Sequence, residues 1–319
     1  MYEFMRFKEF GKTGEKISAL TVGTWAIGGA GWGAVNKADC IKAIHAMFDN
    51  GVNSIDTAPC YNCGESERIV GEALKGRREQ IFLTTKTALY QPDPQTPAIK
   101  DGRRETILRL CDESLKNLQT DYIDLLLIHW PDIEHNAPIE ETMGAMNELV
   151  KAGKVRYLGV SNFSIEQIKE AEKYGIISAS EPPYSMVNRS EEELMRWCYS
   201  QNIANMTYGS LGAGILTGAI RELPKFDEND WRLTFYDFFK EPKFSKVMKL
   251  LKVLDEIAAG HNAPVAQVAV NWNAQKDFVQ TALCGVRNEH EANENCRGFE
   301  WSLSEEEMAV IDKAIEEYL

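Results

Sequence analysis

The sequence of 319 residues lacks an apolar run long enough to span a membrane, and its first residues have neither the basic nor the apolar region of a signal peptide. Basic residues are also in short supply, since 35 Lys and Arg stand against 48 Asp and Glu, for a net charge of -13. An acidic surface argues against nucleic acid and anionic membranes as partners, although a local basic pocket for a phosphate-bearing cofactor remains compatible with it. We therefore expect a cytoplasmic protein that acts on small molecules.

The seven cysteines are an odd number, which suits reduced thiols in a cytoplasm better than a disulfide framework. Cys60 and Cys63 form a C-x-x-C pair. No second Cys or His pair at metal spacing completes a zinc site, and no βαβ redox context surrounds the pair. We interpret both as loop cysteines and predict no metal site; a redox role for the pair is the alternative.

No Gly/Ser-rich or Pro-rich linker divides the chain, and apolar runs alternate with amphipathic segments along it. Strands that alternate with helices form parallel sheets, and eight strand–helix units predict a closed barrel. We predict an α/β fold, a (β/α)8 TIM barrel, as a single domain over residues 1–319. The predicted strands cover residues 20–25, 52–56, 81–85, 123–128, 155–160, 177–180, 203–207 and 279–283.

Three segments fall outside the eight repeats. An N-terminal β-hairpin is predicted at residues 6–20, because two short apolar segments flank a Gly-Lys-Thr-Gly turn. Extra C-terminal helices are predicted, at residues 289–296 and 304–317, after a longer helical region at 243–276. Residues 209–242 interrupt the rhythm, and a loop of that length in a compact domain is usually functional.

Four chemically versatile side chains lie at or just past the ends of three successive predicted strands: Asp56, Tyr61, Lys86 and His129. The carboxyl ends of parallel strands meet at one face of a barrel, where α/β folds hold their active sites. Any one of these residues alone could be structural, as a loop cap, a surface ion pair or a buried polar group. Four of them at three consecutive strand ends favour a shared site.

The four side chains suit the polarisation of a carbonyl group. A phenol with a pKa near 10 is too weak an acid or base at neutral pH, so we expect the Lys86 ammonium to lower the pKa of Tyr61. Asp56 would hold Lys86 charged and in place, and Tyr61 would exchange a proton with the substrate oxygen. A neutral His129 would hydrogen-bond the same oxygen. None of these groups supplies a hydride, so a cofactor must.

Longer motifs surround these residues, in order along nearly the whole chain. They are Gly23-Thr24-Trp25, Asp56-Thr57-Ala58 with Tyr61, Gly64-x-Ser66-Glu67, Thr85-Lys86, Asp121-Tyr122-Ile123-Asp124-Leu125, His129-Trp130-Pro131, Gly159-Val160-Ser161-Asn162-Phe163 and Pro183-Tyr184-Ser185. With these motifs at this spacing the sequence resembles the aldo-keto reductase family. The Tyr-Ser-x-x-Asn-Arg segment that begins at Tyr184 resembles the bacterial branch of that family.

The resemblance implies a (β/α)8 barrel that transfers a hydride from NADPH, less often NADH, to an aldehyde or ketone. It assigns the catalytic tetrad to Asp56, Tyr61, Lys86 and His129, with Tyr61 as the proton donor. The alternative is a cofactor-binding regulatory or redox-sensing subunit with little turnover, since some members of the family serve in that way. The intact tetrad favours the enzyme.

The resemblance also implies a cofactor site. Ser161 and Asn162 match the residues that hold the nicotinamide carboxamide, and Tyr184 matches the aromatic side chain that stacks on the nicotinamide ring. Small residues with free backbone N–H groups, in the Gly-rich run at 208–218, suit the pyrophosphate, although such a run could also be an ordinary loop. The full predicted set is Gly23, Thr24, Trp25, Asp56, Ser161, Asn162, Glu181, Tyr184, Tyr208, Gly209, Ser210, Leu211, Gly214, Leu216, Gly285, Arg287, Glu291 and Asn295.

Two residues depart from the family pattern. Glu181 stands where Gln is usual, and we expect its negative charge beside the nicotinamide to favour the oxidised cofactor. Glu291 stands near the expected 2′-phosphate and would repel it, whereas Arg287 would attract it unless it is a solvated loop charge. Asn295 would read the adenine. These opposing charges leave NADH possible, with a slight preference for NADPH.

Substrate choice is expected to depend on loops at the barrel mouth, including residues 90–101. The predicted substrate-contacting residues are Trp25, Tyr61, His129, Trp130 and Trp231. Aromatic faces pack against sugar rings as readily as against apolar carbonyl compounds, so a sugar, a polyol or a small carbonyl compound is the expected class. The sequence does not predict the oligomeric state.

Overall fold

The computed structural model describes residues 4–29, 35–226, 230 and 232–319. Eight parallel strands close into a barrel, each paired with its neighbours along the chain and the eighth paired with the first. The predicted (β/α)8 TIM barrel is therefore confirmed. The strands are β1 (Leu20–Gly23), β2 (Ser54–Asp56), β3 (Phe82–Thr87), β4 (Ile123–Ile128), β5 (Val155–Ser161), β6 (Ala179–Glu181), β7 (Ala204–Thr207) and β8 (Thr281–Gly285).

Helices follow the strands and cover the outside of the barrel. The long helical region predicted at residues 243–276 is two helices, Lys243–Gly260 and Val265–Ala274. The helices are α1 (Lys37–Asp49), α2 (Glu65–Ala73), α3 (Arg104–Leu118), α4 (Ile139–Lys151), α5 (Ile165–Ala171), α6 (Glu192–Ser200), α7 (Arg232–Phe235), α8 (Lys243–Gly260), α9 (Val265–Ala274), α10 (Glu289–Arg297) and α11 (Glu305–Tyr318).

Side-chain oxygens cap the N-termini of several of these helices. The Asn36 side chain accepts hydrogen bonds from two backbone N–H groups of the first turn of α1. Ser164 and Ser304 form capping boxes at α5 and α11, each with an N3 residue that reaches back to the cap backbone. These bonds satisfy N–H groups that have no partner within the helix, so the local sequence sets where each helix begins.

An N-terminal hairpin closes the bottom of the barrel, as predicted. Its strands, Phe7–Glu9 and Lys16–Ser18, pair antiparallel. Phe10 and Ile17 are 0% and 2% exposed and pack against the apolar side chains of the lower barrel interior. The Phe10 and Phe82 ring centroids lie 5.3 Å apart, edge to face. This end of the barrel is therefore filled with hydrocarbon.

The barrel interior changes from apolar to polar towards the carboxyl ends of the strands. Successive residues of a strand point alternately inward and outward. On β3, Phe82 belongs to the apolar interior cluster, and Lys86, four residues later, has the same inward direction. On β6, Ala179 belongs to that cluster and Glu181 follows two residues later. The strand period therefore brings both ionisable side chains into the upper interior.

Two loop regions contain more structure than the sequence indicated. The predicted loop at 90–101 includes a small antiparallel hairpin, Leu89–Tyr90 with Ile99–Lys100. The irregular region at 209–242 contains a 3-10 segment, Gly212–Thr217, as well as α7 and the turn Asp237–Phe239. Such short elements have little period of their own, so the sequence pattern could not show them. No helix within the described ranges has the length and apolar character needed to cross a lipid bilayer.

Gly71, in α2, lies where its helix touches the end of α3. A Cβ at this position would meet the carbonyl carbon and oxygen of Leu118 at 2.7 Å. We expect Gly71→Ala to destabilise the protein by about 1–3 kcal/mol because backbone atoms cannot move aside. The measurement is the urea unfolding midpoint of the variant and the wild type.

Gly144, in the interior of α4, is the matched control. A Cβ there meets no atom within 4 Å. Gly144→Ala should be neutral or stabilising by up to about 1 kcal/mol, because alanine favours the helix. Equal midpoints for the two variants would show that the α2–α3 contact does not constrain the fold.

Candidate active site

A buried lysine lies at the centre of the upper barrel interior. Lys86, near the end of β3, is 0% exposed, and its Nζ lies 2.5 Å from Oδ1 of Asp56 at the end of β2. The same Nζ donates to the Thr57 carbonyl oxygen at 3.2 Å. It lies 3.4 Å from Oε1 of Glu181, a second buried carboxyl group. Burial alone would lower the pKa of Lys86, but its acidic neighbours, Asp56 foremost, outweigh burial and raise that pKa well above its usual value.

Tyr61 extends this network towards solvent. Its phenol oxygen lies 3.4 Å from Lys86 Nζ, and its side chain is only partly buried. Burial raises the pKa of Tyr61 well above 10, and Lys86 opposes this increase without reversing it. The expected net lowering is therefore wrong for the free protein, because the cost of burying a phenolate exceeds the attraction of the ammonium. Tyr61 is a protonated group, able to donate.

Hydrogen bonds fix the loop that carries Tyr61. Thr57 Oγ1 lies 3.0 Å from Ser66 Oγ, at the start of α2, and Ser66 donates to Thr24. Thr24 Oγ1 in turn donates to the Asp56 carbonyl oxygen at 2.8 Å. Thr24 is 1% exposed, and its hydroxyl group positions the end of β2.

His129, just past the end of β4, is the fourth predicted residue of the site. Its ring packs edge to face against Tyr61, with the ring centroids 6.0 Å apart. Burial and then Lys86 lower the pKa of His129 well below its usual value, so the ring is neutral. Its Nδ1 lies 3.6 Å from Cys60 Sγ. The structure thus brings all four side chains together, with a neutral histidine beside the phenol.

Cys60 and Cys63 are both free thiols in the structure. Burial raises the pKa of Cys60 to about 12, so its sulfur is a protonated thiol beside His129. This contact of Cys60 with the site was not predicted from the sequence. Its position directly before Tyr61 was a usable signal, because both residues belong to the loop between β2 and α2.

Ser161, Asn162, Glu181 and Tyr208 lie together beside the lysine. Ser161 Oγ donates to the Glu181 carbonyl oxygen at 2.9 Å. Asn162 Nδ2 donates to Ser161 Oγ, and Asn162 Oδ1 accepts from the Tyr208 phenol, both at 3.0 Å. The polar side chains predicted to hold a carboxamide therefore form one hydrogen-bonded group at the ends of β5, β6 and β7.

In the free protein, burial shifts Glu181 towards its neutral form, whereas the sequence indicated a negative charge. Burial and then the neighbouring Asp56 raise its pKa well above the usual range, which makes it a neutral acid. Two buried carboxylates beside a single ammonium would leave an uncompensated charge. The strand period that points Glu181 at Lys86 was the sequence signal for this arrangement.

The structure contradicts the role predicted for Tyr184. Its ring is 1% exposed and stacks on Trp272, with centroids 5.4 Å apart, in the apolar cluster beneath α8 and α9. Its phenol donates to Glu192. No face of this ring is available to a ligand. Tyr208, partly buried and bonded to Asn162, is the tyrosine that lies at the predicted nicotinamide position.

In the Gly-rich segment after β7, backbone groups rather than side chains are available to a ligand. Gly209 and Gly214 have φ values of +71° and +95°, and a Cβ built on either meets no atom within 4 Å. The backbone there faces open space, so a phosphate can approach it closely. Ser210 and Leu216 are buried, at 1% and 0% exposure, so their side chains support the segment from beneath.

Arg287 and Glu291 pair with each other beyond β8. The Arg287 guanidinium lies 3.2 Å from Glu291 Oε1, and the backbone N–H of Arg287 donates to Glu291 Oε2 at 2.9 Å. Both side chains are partly exposed. Asn295 follows one helical turn later on α10 and is 6% exposed. Arg287, predicted to attract a 2′-phosphate, and Glu291, predicted to repel it, thus form one ion pair.

Comparison with known proteins places this geometry in a family. The sequence matches the Aldo/keto reductase family over residues 19–316. The chain belongs to this family. The protein is therefore an oxidoreductase, and members of its family use NAD(P)H.

Individual relatives span nearly the whole chain. It is 37% identical over 316 residues to the Aldo-keto reductase YhdN of Bacillus subtilis (strain 168), covering 98% of this chain and 94% of that protein. It is 31% identical over 319 residues to the NADH-specific methylglyoxal reductase of Escherichia coli (strain K12), covering 96% and 97%. The solved structure of the glycerol dehydrogenase AKR11B4 from Gluconobacter oxydans matches with a TM-score of 0.88 and 32% identity, covering 99% of this chain and 95% of that one.

The residues of this aldo-keto reductase fit a nicotinamide dinucleotide. Glu181 Oε2 is buried without a hydrogen-bond partner, beside the Ser161 and Asn162 group. A ligand amide can supply such a partner. The open backbone at Gly209 and Gly214 suits phosphates, and Gly285, which is exposed and pairs with Gly23 of β1, leaves room at the edge between β8 and β1.

Aromatic side chains surround the mouth of the reductase. The Trp25 ring stacks on Tyr61, with centroids 6.3 Å apart at 25°, and Phe235 of α7 meets Trp25 edge to face at 6.4 Å. Trp130 is 37% exposed, and Lys100 lies 4.8 Å from its ring centroid. Trp231, the remaining predicted substrate contact, lies outside the described residues.

The lowered pKa of His129 predicts a specific pH dependence of stability. The unfolded state binds a proton at this residue below about pH 6.5, whereas the folded state does not. The free energy of unfolding should therefore fall as the pH decreases below that value, by about 1.4 kcal/mol per pH unit from this residue. The contribution is constant at higher pH.

Urea unfolding of the wild type and His129→Asn at about pH 7.5 and 5.5 measures this contribution. The wild type should lose more stability than the variant over that interval. His290→Asn, a change at an 87% exposed side chain, retains His129 and should keep the wild-type dependence. Identical losses in all three proteins would mean that the folded protein accepts a proton at His129.

Proposed function

We propose that this protein interconverts a carbonyl compound and its alcohol by hydride transfer with NAD(P)(H), with Tyr61 as the general acid and base. One observation carries the proposal: the Tyr61 phenol, partly buried at the barrel mouth, lies 3.4 Å from the Nζ of a fully buried Lys86. The same lysine would have little effect on the pKa of a tyrosine exposed to solvent, because water screens the interaction. A protonated phenol beside a fixed ammonium is suited to donate a proton and then bear a transient negative charge.

The proton path involves three residues of the chain. Tyr61 gives its proton to the substrate oxygen as negative charge develops there, and Lys86 stabilises the resulting phenolate. Asp56, 2.5 Å from Lys86 Nζ, keeps the ammonium charged and fixes its position. In the direction of alcohol oxidation, the phenolate accepts the proton of the hydroxyl group.

His129 contributes a hydrogen bond rather than a charge. The contact of its Nδ1 with Cys60 leaves Nε2 for the substrate oxygen. A neutral imidazole that donates from Nε2 orients the carbonyl group towards Tyr61 without competing for its proton. The edge-to-face packing of the two rings holds this arrangement.

When bound, the nicotinamide cofactor supplies or accepts the hydride. Ser161, Asn162 and Glu181 would hold its carboxamide, and Tyr208, in place of Tyr184, would lie against its ring. The open backbone around Gly209 would face its phosphates.

The substrate class is a small carbonyl compound or its polyol. Two relatives support it by their names, one a methylglyoxal reductase and one a glycerol dehydrogenase. Trp25, Trp130 and Phe235 form an aromatic border that suits carbon-rich or sugar-like faces rather than charged ones.

Tyr61→Phe tests the proposed chemistry. We expect turnover to fall about 100- to 10,000-fold, because the phenol proton is lost while the ring remains. Cofactor binding should change little. The assay follows the oxidation of NADPH and NADH with small aldehydes and ketones, and their reduction with polyols, while tryptophan fluorescence measures cofactor binding.

Tyr199→Phe is the matched control, because its side chain is 51% exposed on α6 and lies beside the N-terminal hairpin, at the opposite end of the barrel from the site. It should keep wild-type activity. A wild-type protein that binds cofactor tightly yet turns over none of these substrates would contradict the proposed enzyme and favour a regulatory subunit.

Glu291→Gln tests the cofactor preference. We propose that Glu291 engages Arg287 and weakens 2′-phosphate binding, so that NADH remains usable, as the name of the NADH-specific relative suggests. The variant frees the guanidinium and should shift the ratio of dissociation constants towards NADPH by roughly 5-fold, the size of one exposed ion pair.

Glu289→Gln, on the first turn of the same helix, is the control for net charge and should leave the ratio unchanged. Fluorescence titration with all four cofactor forms gives both ratios. An unchanged ratio in Glu291→Gln would show that Arg287 does not meet the 2′-phosphate.

A further inference from the structure

The carboxyl groups of Asp56 and Glu181 share a single counter-ion. Both residues are nearly inaccessible, at 1% and 2% exposure, and Lys86 between them is 0% exposed. Lys86 Nζ lies 2.5 Å from Asp56 Oδ1 and 3.4 Å from Glu181 Oε1. With both carboxyl groups ionised, this enclosed cluster would carry a net charge of one negative unit, which burial strongly disfavours.

Each carboxyl group also has an oxygen without a donor. Asp56 Oδ2 and Glu181 Oε2 are buried and receive no hydrogen bond from the described part of the chain. The two side chains are nevertheless within hydrogen-bonding distance of each other. Two carboxylate oxygens cannot bond without a proton between them, because both are acceptors. One proton on the pair satisfies both groups and makes the cluster neutral.

The surroundings determine which carboxyl group holds the proton. Asp56 is closer to Lys86 and therefore gains more from remaining ionised. The other titratable groups facing the pair are Tyr61, Tyr208 and Cys60, with His129 further out. None of them supplies a positive charge to Glu181. Glu181 is the protonated member and donates to Asp56.

We propose that Glu181 is a proton-holding positioning residue: it stays a neutral acid in the free protein and with reduced cofactor, and releases its proton to solvent when oxidised cofactor binds. The inference rests on the proposed function for its second half. A cationic ring beside the Ser161 and Asn162 group would supply the charge that an ionised Glu181 lacks. The step is a simple ionisation, in which the acid becomes a carboxylate and the proton passes to the buffer.

A neutral Glu181 also explains how a carboxyl group replaces an amide there. A protonated carboxyl group offers one O–H donor and one carbonyl acceptor, as a glutamine side chain does. An ionised carboxylate would only accept. The residue therefore presents amide-like bonding when the ring is neutral and a negative charge when the ring is positive.

Infrared difference spectroscopy of the cofactor-free protein tests the first half. The wild type at neutral pH should show the C=O stretch of a protonated carboxyl group that Glu181→Gln lacks. Glu67→Gln is the matched control, since Glu67 is also a buried carboxyl group, bonded to Thr85 and Asn117, and its loss should leave the Glu181 signal in place. Absence of any wild-type signal that is lost in Glu181→Gln would overturn the proposal.

Proton release on cofactor binding tests the second half. In weakly buffered solution with an indicator dye, oxidised cofactor should release up to about one proton per site from the wild type and from Glu67→Gln, and none from Glu181→Gln. Reduced cofactor should release none from Glu181. The affinity for oxidised cofactor should accordingly rise with pH, by up to about tenfold per pH unit, and the variant should lose this dependence.

The outcomes distinguish a failure of the linkage between Glu181 and the cofactor from a failure of the proposed function. Equal proton release from the wild type and Glu181→Gln would overturn the linkage. Failure of any cofactor to bind would contradict the proposed function and the linkage with it, while the infrared measurement would still decide whether Glu181 is a neutral acid.

Discussion

Burial of one ammonium group constrains the whole upper half of the barrel. Lys86 is fully enclosed, and an enclosed charge is tolerated only with partners at short range. Asp56 meets this requirement directly, the Thr57 carbonyl accepts a further hydrogen bond, and Glu181 completes the enclosure. The charged lysine acts on each of its neighbours. It stabilises the phenolate form of Tyr61, and it disfavours protonation of the nearby imidazole of His129. Burial first, and the charge of this lysine second, thus set the protonation states of the reactive groups.

The fold and the core of the site could be predicted because both depend on periods that the sequence carries. Eight alternations of strand and helix predict a closed barrel, and strand ends predict the face at which Asp56, Tyr61, Lys86 and His129 meet. The strand period of two also points Glu181 inward, towards Lys86. The shift of Glu181 towards its neutral form in the free protein could not be predicted, for a different reason. A protonation state depends on how many charges share one enclosure, and that number is a property of the packed structure.

Other details could not be predicted because they depend on contacts between distant segments. Tyr184 and Tyr208 both follow strands and both suit a ring-stacking role by type. The choice between them is made by Trp272 of α9, which covers Tyr184 in the outer core. Likewise, Arg287 could be recognised as a basic residue near the adenosine end, but its pairing with Glu291 requires the geometry of the turn before α10. The small hairpin at the barrel mouth left no periodic signal at all.

The N-terminal hairpin closes one end of the barrel with apolar side chains, and this determines how ligands enter and leave the interior. Phe10 and Ile17 fill the amino-terminal end of the barrel, so the interior opens at one end alone along the described chain. Whatever reaches the phenol must arrive through the same aromatic-bordered opening by which the product departs. A smaller side chain at Trp25 or Trp130 would then speed entry and exit together. The rates of substrate entry and product release therefore both depend on this opening, and a change that alters one also alters the other.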